Sequence, residues 1–299
     1  MKTTPTHPTE ARAPSRWGPE KRLEFIDFRL RWDGRLNRGD ISDFFGVSTP
    51  QASLDIARYL EMAPDNAEYD RSERSYIATE AFHPLFPSSQ PQKYLSDLLG
   101  QAYGIFGQGV SFLGWAPPVA VAPTPARTLS AETLITLLGA MRRSCALEMT
   151  YQSMTSPTPK KRLVSPRAFG HDGHRWHVRV YCHMENGYRD FVIARILSLG
   201  MEQASPVPPP TDHDWETLVT LVLAPNPGLP KAHQRVIELD YGMENGELRF
   251  ECRRALLLYV VRNLGLDEAE GKSPKVQQII LHNRTEIEPL LPPVELTHT

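Results

Sequence analysis

Residues 162–196, RLVSPRAFGHDGHRWHVRVYCHMENGYRDFVIARI, constrain the fold more tightly than any other part of the chain. They contain two tight-turn signals, Asp172-Gly173 and Asn186-Gly187, each flanked by strand-forming residues. Such dipeptides readily place both central residues at positive φ, as a two-residue hairpin turn requires. Between them, residues 175–183 alternate. Trp176, Val178, Val180 and Cys182 face one side; Arg175, His177, Arg179, Tyr181 and His183 face the other. A two-residue turn at Asn186-Gly187 pairs His183 with Asp190 on the polar face, and Cys182 with Phe191 and Val180 with Ile193 on the apolar face. The expectation is an antiparallel meander with one core face. By pattern alone, the other is either a solvated sheet surface or a binding surface.

The run GHRWHVRVYC followed by YRDFVIARI resembles the signature of the WYL domain, a small Sm-like β-barrel of bacterial transcription regulators. The family's Trp-Tyr-Leu appears as Trp176-His177-Val178, and its trailing aromatic-x-x-x-Arg-Ile element as Phe191 to Ile196 with Arg195. Tyr151-Gln152-Ser153 and Pro166-Arg167 match positions the family uses around its ligand pocket. His177 departs from the family's tyrosine, which leaves the ligand's identity open. The candidate ligand set is Tyr151, Ser153, Arg167, His174, Trp176, His177, Arg179, Tyr181, Arg189 and Arg195. Guanidinium forks suit phosphate, the rings of His177 and Tyr181 suit base stacking, and Tyr151 and Ser153 offer hydroxyls. The register places Arg189 and Arg195 on the opposite side of their strand from Asp190, so only curvature or a bulge brings them beside Arg179.

Charge distribution agrees with an anionic ligand. The whole chain carries −2, but residues 142–200 hold 10 Lys and Arg against 4 Asp and Glu. Residues 201–299 hold 9 against 15, and residues 16–80 hold 10 against 13. Three scattered cysteines, Cys145, Cys182 and Cys252, exclude a disulfide framework and fit a reducing cytosol. The longest aliphatic run is too short for a membrane span. Residues 1–15 lack a signal-peptide core and read as a disordered tail. A cytoplasmic protein is expected.

At the N-terminus, residues 19–32 read as a helix and residues 38–45 as a second, short one. Gly46-Val47 forms a turn, and Ser48 with Gln51 predicts a capping box opening a third helix, where Pro50 is tolerated. Its buried stripe is read as Leu54, Ala57 and Leu60, leaving Thr49, Gln51, Ala52, Ser53, Asp55 and Arg58 outward. Residues 68–70 and 74–78 around a polar tip form a hairpin, hence a winged helix-turn-helix. The candidate DNA contacts are Ser48, Thr49, Gln51, Ser53 and Arg58 on the helix and Arg71 and Arg74 on the wing. The alternative is a winged helix that docks a protein. The region's acidic balance favours that alternative, whereas small polar outward residues favour groove insertion.

The organisation expected is a tail (1–15), a winged helix (16–83), a helical connector (84–129), a WYL domain (130–204), a Pro-rich spacer (205–211) and a C-terminal domain (212–299). In the connector, Pro91 opens a helix with Leu95, Leu98, Leu99 and Ala102 at helical spacing, and Gly104, Gly107 and Gly109 read as loop. Ser130 caps a helix before the barrel. Beyond the spacer, strands at 218–223, 247–252 and 276–281 and helices at 230–239 and 254–264 suggest a small α/β sandwich. The resemblance implies dimerisation for that segment. The fold class is thus α+β and multidomain.

Catalysis and metal chemistry find little support. His171, His174 and His177 do not share a face, no paired cysteines accompany them, and no nucleophile motif is present. No cofactor is expected. The chain's order resembles WYL regulators encoded beside phage-defence islands such as the BREX systems. The resemblance implies a homodimeric repressor of a defence operon, binding double-stranded operator DNA and sensing a nucleotide or single-stranded nucleic-acid effector. The rival reading is a nucleotide-responsive adaptor whose winged helix binds a protein partner.

Overall fold

The computed structural model describes residues 18–105, 110–123, 125, 127–267 and 272–291, in two compact units divided at residue 124. The proposed tail, Gly107 and Gly109 lie outside the described residues.

In the first unit, α1 (Pro19–Asp33) has Pro19 in its first turn and ends at Gly34, whose φ of 71° is left-handed. β1 (Arg35–Leu36) follows. α2 (Arg38–Phe45) carries a full capping box between Asn37 and Asp40 and stops at Gly46, with φ of 69°. α3 (Thr49–Met62) has Ser48 as N-cap, which accepts the Gln51 N–H; only this half of the expected box forms. The wing is β2 (Ala67–Asp70) and β3 (Ser75–Ala78), and β1 adds a third strand in the order β1-β3-β2.

The connector's helix, α4 (Pro91–Ala102), belongs to this unit. Tyr94 stacks on Trp32 at 4.5 Å, and Phe112 joins Phe25, Phe28, Phe44 and Phe45 in an aromatic core. Leu95 and Leu99 stay exposed; only Leu98 of the predicted stripe is fully buried. Buried Asp27 binds the connector to the core. It accepts hydrogen bonds from the Tyr59 hydroxyl (2.7 Å), the Ser89 hydroxyl (2.6 Å) and the Leu85 and Phe86 N–H groups. A buried carboxylate needs such a full set of donors.

In the second unit, α5 (Ala131–Arg143), capped by Ser130, packs on a five-stranded antiparallel sheet. Its strands are β4 (Ala146–Tyr151), β5 (Lys160–His171), β6 (Trp176–Cys182), β7 (Gly187–Val192) and β8 (Ile196–Gln203), ordered β7-β6-β5-β4-β8. A 3-10 turn, Ile193–Arg195, connects the two edge strands directly, and the Val192 N–H reaches the Tyr151 hydroxyl. Leu137, Leu147, Met149, Val164, Val178, Val180 and Phe191 form the core.

Both hairpins differ from the expected register. Cys182 pairs with Gly187 and Arg179 with Asp190, so the second loop has four residues instead of two. His171 pairs with Trp176, giving the first loop four as well. The Asp172 carboxylate explains that loop: it accepts the His174 and Arg175 N–H groups and the Arg175 guanidinium, an arrangement that competes with a tighter turn. Glu185, in the second loop, is gripped by Arg162 and Arg189. The pairing partner of each β6 residue moves by four along β7. That is an even number, so every side chain keeps its predicted face.

After the Pro-rich segment come α6 (His213–Glu216), β9 (Leu218–Pro225), α7 (Lys231–Tyr241), β10 (Leu248–Arg253), α8 (Leu257–Asn263), β11 (Ile279–Leu281) and α9 (Arg284–Ile287). β9 lies between β10 and β11 in an antiparallel sheet. Leu221, Leu223, Ile237, Leu257, Val261, Leu281 and Ile287 make its core with the helices.

Candidate nucleic-acid interface and sheet-face site

The inward face of α3 is Ala52, Asp55, Ile56 and Tyr59, with Leu60 half-buried against the same core; Leu54 and Ala57 of the expected stripe face outward. Leu54 is 65% exposed. Two of the inward residues are polar but fully partnered. Asp55 forms a two-point ion pair with buried Arg22 of α1 (2.6 and 3.0 Å), and Tyr59 donates to Asp27. Burial, with the Asp27 carboxylate beside it, pushes the Tyr59 phenol well above its ordinary pKa. Of the residues expected to point outward, Ala52 and Asp55 are therefore core. Gln51 is half-buried, and its amide donates to Asp55 at 3.1 Å.

What remains outward is Ser48, Thr49, Pro50, Leu54, Ala57 and Arg58, with Ser53 half-exposed and its hydroxyl donating to the Thr49 carbonyl. On the wing, Asp70 accepts the Ser72 and Glu73 N–H groups and the Ser72 hydroxyl, which fixes the tip and holds its carboxyl below the usual range. Arg74 adopts a φ of 53° there. Arg58, Arg71 and Arg74 are exposed, and none has an ion-pair partner among the described residues. This exposed helix face and a three-stranded wing with two free guanidinium groups suit a groove and its phosphates.

The polar face of β6 is not open to solvent. His177, Arg179 and Tyr181 are all buried. Arg179 makes a forked pair with Asp212 (2.5 and 2.8 Å), contacts Asp190 at 3.2 Å and lies 3.7 Å from Asp214. Burial disfavours its charge, yet these carboxylates hold its pKa above the ordinary value. The Tyr188 ring covers the guanidinium at 5.5 Å, and its hydroxyl donates to the Pro210 carbonyl. The Pro-rich segment is thus fastened to the sheet at Pro210 and, just beyond its end, at Asp212.

His177 stacks on Tyr259 of α8 at 5.0 Å, with its Nε2 3.7 Å from Asp172. Burial pushes its pKa down to about 4, against the pull of the Asp172 carboxylate. Its Nδ1 is buried without a hydrogen-bond partner. Tyr181 packs edge-on against His183 and Tyr188, and the His183 Nε2 meets the Ser165 hydroxyl at 2.9 Å.

The other candidates are scattered. Tyr151 is in the core, and Ser153 caps a loop by accepting the Ser156 N–H. Arg167 sits at a β-bulge, exposed, 3.6 Å from Glu216. His174 is exposed, Trp176 packs on His171, and Arg189 pairs with Glu185. Arg195 is half-buried, with no side-chain ion pair among the described residues. The structure therefore gathers His177, Arg179 and Tyr181 on one buried face, with the charge of Arg195 felt at His177 and that of Arg167 at Tyr188, and the remaining candidates lie elsewhere. Sequence reasoning missed Asp212 and Tyr259, which come from distant segments that no local pattern announces, and Tyr188, which faces Tyr181 across the same hairpin and was hidden by the mistaken register. Among the described residues no cluster of three or more metal-ligating side chains occurs, and no helix is long and apolar enough to cross a membrane.

Family comparisons fit this three-part organisation. Residues 18–100 match the BrxR transcriptional regulator winged helix-turn-helix domain, residues 132–201 the WYL domain, and residues 218–287 the BrxR transcriptional regulator C-terminal dimerization domain. The chain is 47% identical to the DNA-binding transcriptional repressor CapW of Pseudomonas aeruginosa, over 97% of this chain and 98% of that protein. It is 44% identical to CapW of Escherichia coli strain KTE188 (94% and 95%) and 42% identical to that of Stenotrophomonas maltophilia (91% and 92%). Nearly full-length identity at this level, with all three domains in order, places the chain in the BrxR-type family of WYL transcriptional regulators that includes the CapW repressors.

Proposed function

We propose that this regulator is a homodimeric repressor that binds double-stranded operator DNA through α3 and the wing, and that an anionic ligand at the sheet face relieves repression. The observation that carries the DNA reading is the exposed face of α3, from Thr49 to Arg58, flanked by the unpaired wing arginines. Its docking set is Thr49, Pro50, Ser53, Leu54, Ala57 and Arg58 on the helix, with Arg71 and Arg74 on phosphate. Gln51, half-buried with its amide on Asp55, is assigned to positioning Asp55 and left out of this set.

The effector reading rests on Arg179. Its fork already holds a carboxylate in the two-point geometry that a phosphate takes. Asp212 therefore acts as the resident anion. A nucleotide or short single-stranded oligonucleotide that reaches Arg179 displaces it and frees the segment between the two sheets of this unit. Such coupling typically amounts to about 1–3 kcal/mol. Calorimetry with nucleotides and short oligonucleotides tests this on the wild type, Asp212→Asn and Arg179→Ala. Asp212→Asn should bind the anion more tightly and Arg179→Ala not at all. Equal binding by all three variants contradicts an Arg179 site, and anion binding that leaves operator affinity unchanged contradicts a sensor.

A further inference from the structure

We infer that Leu54 reads the 5-methyl groups of thymine, making an apolar strip on α3 a determinant of operator sequence. This rests on the proposed docking of α3 in the major groove.

The helix has one central outward line. With Ala52, Asp55, Ile56 and Tyr59 inward, the 100° step per residue puts Pro50, Leu54 and Ala57 within about 30° of the line opposite the core. All three are exposed and none is polar. Polar side chains lie to either side, Thr49 and Ser53 on one flank and Arg58 on the other. The centre of the face that enters a groove is thus aliphatic, and hydrogen-bonding groups are confined to its margins.

A leucine 65% exposed in mid-helix leaves apolar surface in water unless a partner covers it. The major groove offers one apolar group on its base edges, the thymine methyl. Leu54 is long enough to project from the helix, while Pro50 and Ala57 are short and let the helix approach closely. The partner that fits is therefore a thymine-bearing step under the middle of α3, with phosphates within reach of Arg58.

The test replaces the thymines of a duplex from the protein's own upstream region, one at a time, by deoxyuridine. This removes only the methyl. Full-length wild type and Leu54→Ala are titrated at one salt concentration. Losing a buried methyl should weaken wild-type binding about fourfold at one or more positions, equivalent to about 0.8 kcal/mol. Leu54→Ala should bind thymine and deoxyuridine duplexes equally, and Leu54→Met should retain the discrimination. Because Leu54 is exposed, an unchanged melting temperature is expected for both variants. Wild type indifferent to every replacement, or Leu54→Ala still discriminating, overturns the inference. Failure of every duplex to bind better than random DNA removes instead the operator reading beneath it.

Discussion

His177 shows how a single residue ties this protein's stability to pH. In the unfolded chain its imidazole titrates near the ordinary value of about 6.5, whereas burial beneath Tyr259 pushes it down to about 4 in the fold. Between those two values the unfolded chain holds the proton and the folded chain does not. Its contribution is therefore fully present above pH 6.5 and is lost as pH falls toward 4. From pH 7 to pH 5 the loss assigned to His177 is about 2 kcal/mol at most. Urea denaturation at both pH values should show His177→Gln losing less stability than the wild type over that interval; an equal loss in both would contradict the buried, neutral imidazole. The histidine's place on the polar strand face was legible from alternation alone. Its burial was not, because the covering ring arrives from α8, more than 80 positions along the chain.

Among the elements, α3 separates what a hydropathy pattern reveals from what it conceals. The helix, its Ser48 cap and its place after a glycine turn were all readable from local chemistry. Its inward face was not. Leu54, Ala57 and Leu60 make the more apolar stripe, but the buried one includes Asp55 and Tyr59, whose polar groups are satisfied by Arg22 and Asp27. A count of apolar residues cannot see partners on another helix. Asp55→Ala removes the carboxylate from a buried two-point ion pair with Arg22, and should cost about 3–5 kcal/mol in thermal or urea unfolding; a cost below about 1 kcal/mol would mean the pair is solvated. The β6–β7 hairpin failed differently. Asn186-Gly187 correctly marked a reversal, but the Glu185 ion pairs accompany a four-residue loop. The side-chain faces survived because the shift was even.

For the whole molecule, the C-terminal match to a dimerization domain and the exposed α7 face make one prediction together. Val236 and Leu239 (71% exposed) lie three residues apart on α7, outside the core that Ile237 enters. Replacing both with glutamate should convert a dimer into a monomer by light scattering and weaken operator binding, since one winged helix covers only one half-site. A variant that stays dimeric would place the interface elsewhere. The three-part order was legible because the strand signature, the capped helix and the Pro-rich boundary are local. The fastening of that boundary to Arg179 was not, since Asp212 is an unremarkable carboxylate until the fold carries it there. Sequence-specific binding of DNA is the property expected of this chain despite its net charge of −2. Fluorescence anisotropy with the protein's own upstream DNA and with a scrambled duplex, across a series of salt concentrations, tests it most directly. The prediction is preferential binding to the upstream duplex, with log K falling steeply as log salt rises, by about 0.9 per phosphate neutralised. A slope near zero, or equal affinity for the scrambled duplex, would contradict it and leave α3 as a surface for a protein partner.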